Sequence, residues 1–158
     1  MISVPRRLSH DSFEVDVLLD ERCAEMSDHV TGQHIQGMVL TEAARQTFLA
    51  VSEAFYLQDQ PHSSYFVINT MDTEYLRFVF PLPMTILYEV LEHRVSERSQ
   101  SQRFEVRMSV IQAQQTCSVI KTKFSTYTDA FIAEKEAGLA QQAILGELNP
   151  EVAHEKRA

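Results

Sequence analysis

Hydrophobic and polar positions divide the chain into a short strand, a long helix and four later strands. In residues 13–19 apolar positions alternate with Glu14 and Asp16, which indicates a half-buried strand. Residues 38–57 contain no glycine or proline and are apolar around most of the helical circumference. They predict a helix of about five turns that other elements surround and that Pro61 ends. Segments rich in β-branched and aromatic residues then predict strands over residues 65–80, 84–95, 104–110 and 117–127.

The polar residues of the long helix are confined to a narrow sector, apart from Thr47. They are Thr41, Glu42, Arg45, Gln46, Ser52 and Glu53. The predicted order of strand, buried helix and four strands favours an α+β domain, in which one antiparallel sheet wraps around the helix. This is the hotdog arrangement.

We expect a single hotdog domain with its core over about residues 12–128. A C-terminal helix is predicted over residues 129–146, with Asp129 at its N-cap, and a flexible tail over residues 147–158. Because the free edges of such a sheet invite pairing with another chain, we expect at least a homodimer.

Length, charge and cysteine content narrow the function classes. The 158 residues fit one domain, and the net charge of -8 argues against nucleic acid as the main partner. Cys23 and Cys117 are too few for a disulfide scaffold and indicate free thiols in a reducing compartment. Apolar runs are shorter than the ~18 residues of a membrane span and no signal peptide is evident, so we expect a cytoplasmic protein.

Candidate chemistry concentrates where the long helix begins. The chain has only 4 Gly, and two of them, Gly32 and Gly37, directly precede this helix. A glycine at position 37 lets a ligand approach the backbone, and the free N–H groups of the first helical turn carry partial positive charge. Aimed at a thioester carbonyl, each donor would stabilise an oxyanion by about 3 kcal/mol. Glu42 follows one turn later, and either His29 or His34 could transfer protons near neutral pH.

The segment from Asp28 to Gln46 reads DHVTGQHIQGMVLTEAARQ. It resembles the signature of hotdog β-hydroxyacyl-carrier-protein dehydratases: a histidine, a glycine three residues later, a second glycine that opens a helix, and Glu-Ala-x-x-Gln. The interval from the histidine to the second glycine is one residue shorter here, and Thr31 and Gln36 stand where that family has prolines. The string from Gly37 to Gln46 is more similar to the A-factor biosynthesis (AfsA-like) hotdog domains.

The AfsA-like resemblance implies transfer of a β-ketoacyl group from a carrier protein to the hydroxyl of a small phosphorylated triose, on the way to butyrolactone signals. It implies Glu42 with His29 or His34 as catalytic residues. It implies substrate contacts by Gly32, Gly37, Met38, Arg45 and Gln46. The enzymes of that family carry two hotdog domains in tandem, so a homodimer of this chain would rebuild the pair.

Other functions fit the same residues. Dehydration or hydration of a β-hydroxyacyl thioester is one alternative, and hydrolysis with water activated by Glu42 is another. A non-catalytic acyl-binding or scaffold domain is a third, and its mark would be a Glu42 carboxylate fully engaged by Arg45. His29 and His34 could be solvated loop residues, and Gln46 a hydrogen-bonding partner in the core. The long helix has no His-x-x-x-His pair, so we expect no metal, and no cofactor is predicted.

The acyl group would be presented by a carrier protein or by coenzyme A. Because a carrier protein is acidic, its docking would need a local basic rim on this acidic chain. The candidates are Arg94, Arg98, Arg103, Arg107, Lys121 and Lys123. Their alternative interpretation is a solvated face of the sheet.

Overall fold

A computed structural model describes residues 1–19, 32–58, 64–96 and 101–148 of the chain. Six strands and two helices occupy these residues. In chain order they are β1 (Arg6–Arg7), β2 (Ser12–Asp16), α1 (Gly37–Phe55), β3 (Ser64–Tyr75), β4 (Thr85–Ser96), β5 (Ser101–Gln112), β6 (Gln115–Thr128) and α2 (Asp129–Leu148).

The six strands form one antiparallel sheet in the order β1-β2-β4-β5-β6-β3. β3 follows α1 in the chain but pairs with β6 at the far side of the sheet, so α1 crosses the sheet between β2 and β3. Within the described residues β3 pairs only with β6 and is therefore an edge strand of 12 residues.

One face of α1 packs against the sheet because its apolar residues recur at helical spacing. Its buried residues are Val39, Leu40, Ala43, Ala44, Thr47, Phe48, Val51 and Ser52. Phe48 stacks on Phe124 of β6 with ring centroids 4.5 Å apart, and Phe124 stacks on Phe104 of β5 at 4.8 Å. The expected α+β arrangement, an antiparallel sheet around one long helix, is confirmed.

Ser52 corrects the expected polar sector of α1, because its side chain is fully buried. Thr47 is the second polar residue that α1 buries, and its hydroxyl donates a hydrogen bond to the carbonyl oxygen of Ala43 at 2.8 Å. This bond explains how Thr47 tolerates the apolar face.

Several predicted boundaries were wrong at their C-terminal ends. The first long strand ends at Tyr75 and not at residue 80, because the N–H groups of Leu76 and Arg77 both donate to the carbonyl oxygen of Cys117 and leave the ladder. The strand over residues 13–19 ends at Asp16. α1 ends at Phe55, before Pro61, because the N–H groups of residues 56 and 57 both donate to the carbonyl oxygen of Ser52.

The C-terminal helix is present and extends to Leu148, two residues further than expected. The helix begins at Asp129, so Asp129 is its first residue and not the N-cap residue that the sequence predicted. Ile132 is buried against the sheet, and Phe131 stacks on Tyr127 with centroids 5.5 Å apart. The tail beyond residue 148 lies outside the described residues, so its flexibility remains a prediction.

Cys117 is buried and carries a free thiol, as expected, whereas Cys23 lies outside the described residues. Of the helices in the described ranges, none combines the length and apolar character that a bilayer crossing requires.

Candidate functional site

The chain enters α1 through a turn in which the N-cap residue does not cap the helix with its side chain. Gly32 adopts a left-handed conformation (φ 73°), which glycine tolerates without strain. The buried Ile35 anchors the turn, because its N–H donates to the carbonyl oxygen of Val79 at 2.7 Å. Gln36 occupies the N-cap position but makes no side-chain capping hydrogen bond, and no acidic residue lies in the first turn. The first turn itself therefore supplies no carboxylate to the positive end of the helix dipole.

Tyr75, at the end of β3, lies directly over Gly37. A Cβ atom at position 37 would lie 2.7 Å from Cζ of the Tyr75 ring and 2.9 Å from its hydroxyl oxygen, closer than real Cβ contacts. The Tyr75 hydroxyl is 3.1 Å from Oγ1 of Thr41. The Thr41 hydroxyl in turn donates to the carbonyl oxygen of Gly37 at 3.3 Å. Sequence reasoning expected a ligand to approach Gly37 closely, and in this structure Tyr75 makes the close approach.

Glu42 accepts three hydrogen bonds from its own helix. Arg45 donates from Nε to Oε2 at 2.7 Å and from Nη2 to Oε1 at 2.8 Å, and Gln46 donates from Nε2 to Oε1 at 2.9 Å. The bond from Arg45 is the main cause that holds the pKa of Glu42 below its ordinary value, against a smaller opposing effect of burial. Glu42 is therefore ionised at neutral pH.

The Glu42 side chain remains 31% exposed despite these bonds. Among the described residues, Oε1 accepts two of the three hydrogen bonds and Oε2 only one, so these partners leave a lone pair of Oε2 unused. The pairing with Arg45, one of the two interpretations left open by the sequence, is present, but it does not saturate the carboxylate.

The other predicted site residues lie near the same helical start or beyond the described ranges. Met38 is 69% exposed. The half-buried ring of His34 packs against Phe78 with centroids 4.8 Å apart. His29 lies outside the described residues. Within the described ranges, no three His, Cys, Asp or Glu side chains form a group that could hold a metal ion.

Tyr75, Thr41 and Phe78 lie at the site although the sequence did not single them out as site residues. Thr41 stood in the polar sector of α1 and could have been found there. Tyr75 and Phe78 come from the end of β3 and the segment after it, and no local pattern indicates that these residues meet the start of α1.

The basic side chains expected to form a docking rim lie on β4, β5 and β6. Arg94 pairs with Arg103 across neighbouring strands, and Arg107 pairs with Lys121. Arg103 and Arg107 alternate with the buried residues Phe104 and Val106, so the basic residues point away from the core. The described members of the rim therefore lie on the face of the sheet opposite to α1 and Glu42, and Arg98 lies outside the described residues.

Acidic neighbours interrupt this basic face. Arg94 forms an ion pair with Glu92, and Nζ of Lys123 lies 3.1 Å from Glu105. This arrangement is typical of a solvated sheet face.

Solved structures share this fold. A protein from Shewanella oneidensis assigned as a thioesterase has a TM-score of 0.59 at 9% identity, over 78% of this chain and 82% of its own. A thioesterase from Haemophilus influenzae has a TM-score of 0.53 at 16% identity, over 78% of this chain and 77% of its own. A mutant thioesterase from Staphylococcus aureus has a TM-score of 0.54 at 8% identity, over 80% of this chain and 93% of its own. At these identities the likeness establishes the fold alone.

No curated protein matches the sequence. The model of the A-factor biosynthesis hotdog domain matches residues 1–128, which include the whole sheet, α1 and the segment from Gly37 to Gln46. The chain therefore belongs to the A-factor biosynthesis hotdog domain family.

Proposed function

We propose that the protein acts on acyl thioesters at the start of α1, and that it transfers a β-ketoacyl group from a carrier protein or coenzyme A to a small phosphorylated alcohol. Family membership supports the class of substrate. The observation that carries the reaction type is the ionised and accessible carboxylate of Glu42, one turn into a helix whose N-cap residue, Gln36, makes no side-chain capping hydrogen bond.

In the proposed reaction the acceptor hydroxyl attacks the thioester carbonyl carbon while Oε2 of Glu42 takes the hydroxyl proton. The tetrahedral oxyanion is stabilised by backbone N–H groups of the first turn of α1. The C–S bond then breaks, the thiolate leaves, and the proton on Glu42 passes to its sulfur. The products are an ester and a free thiol, and Glu42 is ionised again.

The lowered pKa of Glu42 favours a base over an acid. A carboxylate that is ionised at neutral pH is ready to accept a proton, but it holds little of the protonated form that a general acid needs. In the dehydratases that the motif resembles, a histidine is the base and the acidic helix residue is the acid. The observed environment of Glu42 therefore supports transfer or hydrolysis more than dehydration.

Arg45 fits the phosphorylated acceptor. Two of its N–H donors bind Glu42, and its side chain is 43% exposed, so its remaining donors are available to a phosphate group. Met38, exposed at the same end of α1, offers an apolar surface for the acyl chain.

Hydrolysis is the second candidate. Water would take the place of the acceptor alcohol, with the same base and the same N–H donors, and the products would be a free acid and a thiol. The thioesterase names of the structures from Haemophilus influenzae and Staphylococcus aureus support this candidate.

We further propose that two chains pair through β3, the edge strand beside the site. Within the described residues β6 is the one strand that neighbours β3, so the other edge of β3 is a template for a second strand. Light scattering after gel filtration would give twice the 18.1 kDa chain mass if this is right. A monomer at micromolar concentration would contradict it.

Acyl thioesters of carrier proteins and coenzyme A occur inside the cell, which fits the cytoplasmic location expected from the sequence.

The test is incubation with β-ketoacyl and β-hydroxyacyl thioesters, with and without a phosphorylated triose, and identification of the products by mass. An ester formed only with the triose indicates transfer, a free acid in both cases indicates hydrolysis, and loss of water indicates dehydration. Glu42→Gln should lower turnover about 10²–10⁴-fold, because the general base is removed.

Glu53→Gln is the matched control. Glu53 is an exposed carboxylate on the same helix, three turns further on, and its loss should leave turnover unchanged. Equal turnover of wild type and Glu42→Gln would contradict the assigned base. Binding of an acyl thioester by the wild type without turnover would instead identify a non-catalytic acyl-binding domain.

A further inference from the structure

The Tyr75 side chain occupies the space beside Gly37. Tyr75 pairs with the fully buried Ser118 in the β3–β6 ladder, so its ring lies on the same face of the sheet as α1. The ring touches Gly37 where a larger residue would have its Cβ. It thus lies against the backbone that the proposed function uses to bind the thioester.

Within the described residues, one side-chain hydrogen bond holds Tyr75 in this place. Its described hydrogen bond joins two hydroxyls, those of Tyr75 and Thr41, at 3.1 Å on an exposed surface. The ring is 53% exposed, so it is not part of the core. A side chain held this way rotates out of its position at small cost.

The hydrogen-bond chain also indicates which way the protons point. The Thr41 hydroxyl donates to the carbonyl oxygen of Gly37, so it is available to Tyr75 as an acceptor. Tyr75 then donates to Thr41 and holds its ring over Gly37. Loss of the Tyr75 hydroxyl removes this tether but keeps the ring.

We propose that Tyr75 is a binding-site residue that fills the ligand's place at Gly37 in the free protein and is displaced when an acyl thioester binds. This inference rests on the proposed function, because it takes the acyl thioester as the ligand. Tyr75 then lowers the apparent affinity for that ligand by the fraction of molecules in which it covers Gly37. In this proposal position 37 is a glycine because a Cβ atom there would fill the space that the Tyr75 ring and the ligand occupy in turn.

The experiment follows Tyr75 by fluorine NMR while a ligand is added. The chain has 5 Tyr, and protein labelled with 3-fluorotyrosine gives one resonance for each; Tyr75→Phe assigns the signal of Tyr75. The ligand is a β-ketoacyl pantetheine in which a methylene group replaces the thioester sulfur, since pantetheine is common to carrier protein and coenzyme A. Calorimetry on the same samples measures its affinity.

We expect the Tyr75 resonance to shift and to saturate together with the calorimetric binding curve. Tyr75→Ala should bind the ligand about two- to tenfold more tightly than the wild type. The substitution removes the ring that competes with the ligand and the one hydrogen bond that holds this ring in place. Tyr75→Phe should bind more tightly by a smaller factor, because it keeps the ring and loses the tether to Thr41.

Tyr65 provides the control on the same strand. Its exposed hydroxyl donates to Glu136 at 2.9 Å at the opposite end of β3, so Tyr65→Phe and Tyr65→Ala remove equivalent groups away from the site. These variants should bind the ligand like the wild type.

Calorimetric binding without movement of the Tyr75 resonance would overturn the inference and leave the proposed function intact. Weaker or unchanged binding by Tyr75→Ala would also overturn it, because Tyr75 would then support the ligand or not meet it. Absence of binding by the wild type and by Tyr75→Ala would overturn the proposed function, and this inference with it.

Discussion

The two helices of the protein have nearly the same length and very different relations to the sheet. α1 has 19 residues and α2 has 20. α1 buries eight of its residues against the strands, whereas Ile132 is the one buried side chain among residues 129–146 of α2. α2 also contains Gly138 and Gly146, where an added Cβ atom would meet no described residue outside the helix backbone within 4 Å.

The difference teaches that helix formation and burial are separate properties of a segment. Residues with good helix propensity form both helices. In α1 the apolar residues form one broad face that includes Phe48 and Val51 and leaves a narrow polar sector, while in α2 they are distributed around the axis. A concentrated apolar face is what makes α1 part of the core, and its other face is then free to carry Glu42, Arg45 and Gln46.

The largest expected effect comes from a cavity under α1. Phe48→Ala should lower the free energy of unfolding by about 3–5 kcal/mol, because it removes the ring stacked on Phe124. Leu139→Ala, on the exposed surface of α2, should change it by less than about 0.5 kcal/mol. Urea denaturation followed by circular dichroism measures both values. Similar losses for the two variants would show that α2 is as much a part of the core as α1.

The next effect concerns the attachment of α2. Ile132→Ala removes the buried contact of α2 and should weaken its association with the sheet by about 2–3 kcal/mol. Amide hydrogen exchange should then accelerate in α2 and stay slow in α1, since the two helices bury separate surfaces. If protection in α1 falls equally, the helices unfold as one unit.

A smaller effect is expected from a buried hydroxyl beneath α1. The Tyr88 hydroxyl has no described partner within full hydrogen-bonding geometry, although the Ser52 hydroxyl lies nearby. Burial raises the pKa of Tyr88 far above the ordinary value, Tyr56 adds to this rise, and Ser52 opposes it. Tyr88→Phe should raise the free energy of unfolding by about 1 kcal/mol, because an unsatisfied polar group leaves the core. Thermal unfolding of Tyr88→Phe against Tyr65→Phe measures it, since the Tyr65 hydroxyl is exposed and bonded. A loss of stability would indicate that an unseen partner binds the Tyr88 hydroxyl.

The smallest effect is the pH dependence that Glu42 contributes from the outer face of α1. Because Arg45 lowers the folded-state pKa of Glu42, the ion pair stabilises the protein above the ordinary value of 4.5, and this contribution is lost as pH falls through the folded-state pKa. The pair is partly exposed, so we expect about 0.5 kcal/mol. The free energy of unfolding of the wild type should exceed that of Glu42→Gln by this amount at pH 7, and the two values should be equal in strong acid. Glu53→Gln, which removes an exposed carboxylate from the same helix, is measured alongside. An identical response of both variants would show that Arg45 is not the cause.

Much of the fold could be predicted because it depends on local patterns. The alternation around Glu14 and Asp16 and the breaker-free segment before Pro61 located β2 and α1 correctly, to within a few residues. The errors lie at element ends, as where the carbonyl oxygen of Cys117 draws Leu76 out of the β3 ladder. Such an ending depends on a residue 41 positions away, and no local pattern contains it.

For the candidate site, the sequence by itself determined which residues share the start of α1: Gly37, Met38, Glu42, Arg45 and Gln46 are neighbours because helical geometry makes residues three and four apart adjacent. Tertiary structure alone decided that Tyr75 lies on Gly37 and that the basic residues of β4–β6 face away from Glu42. The physical reason is range. Helical periodicity acts within a few residues, whereas the pairing of β3 with β6 brings Tyr75 to a residue 38 positions earlier in the chain.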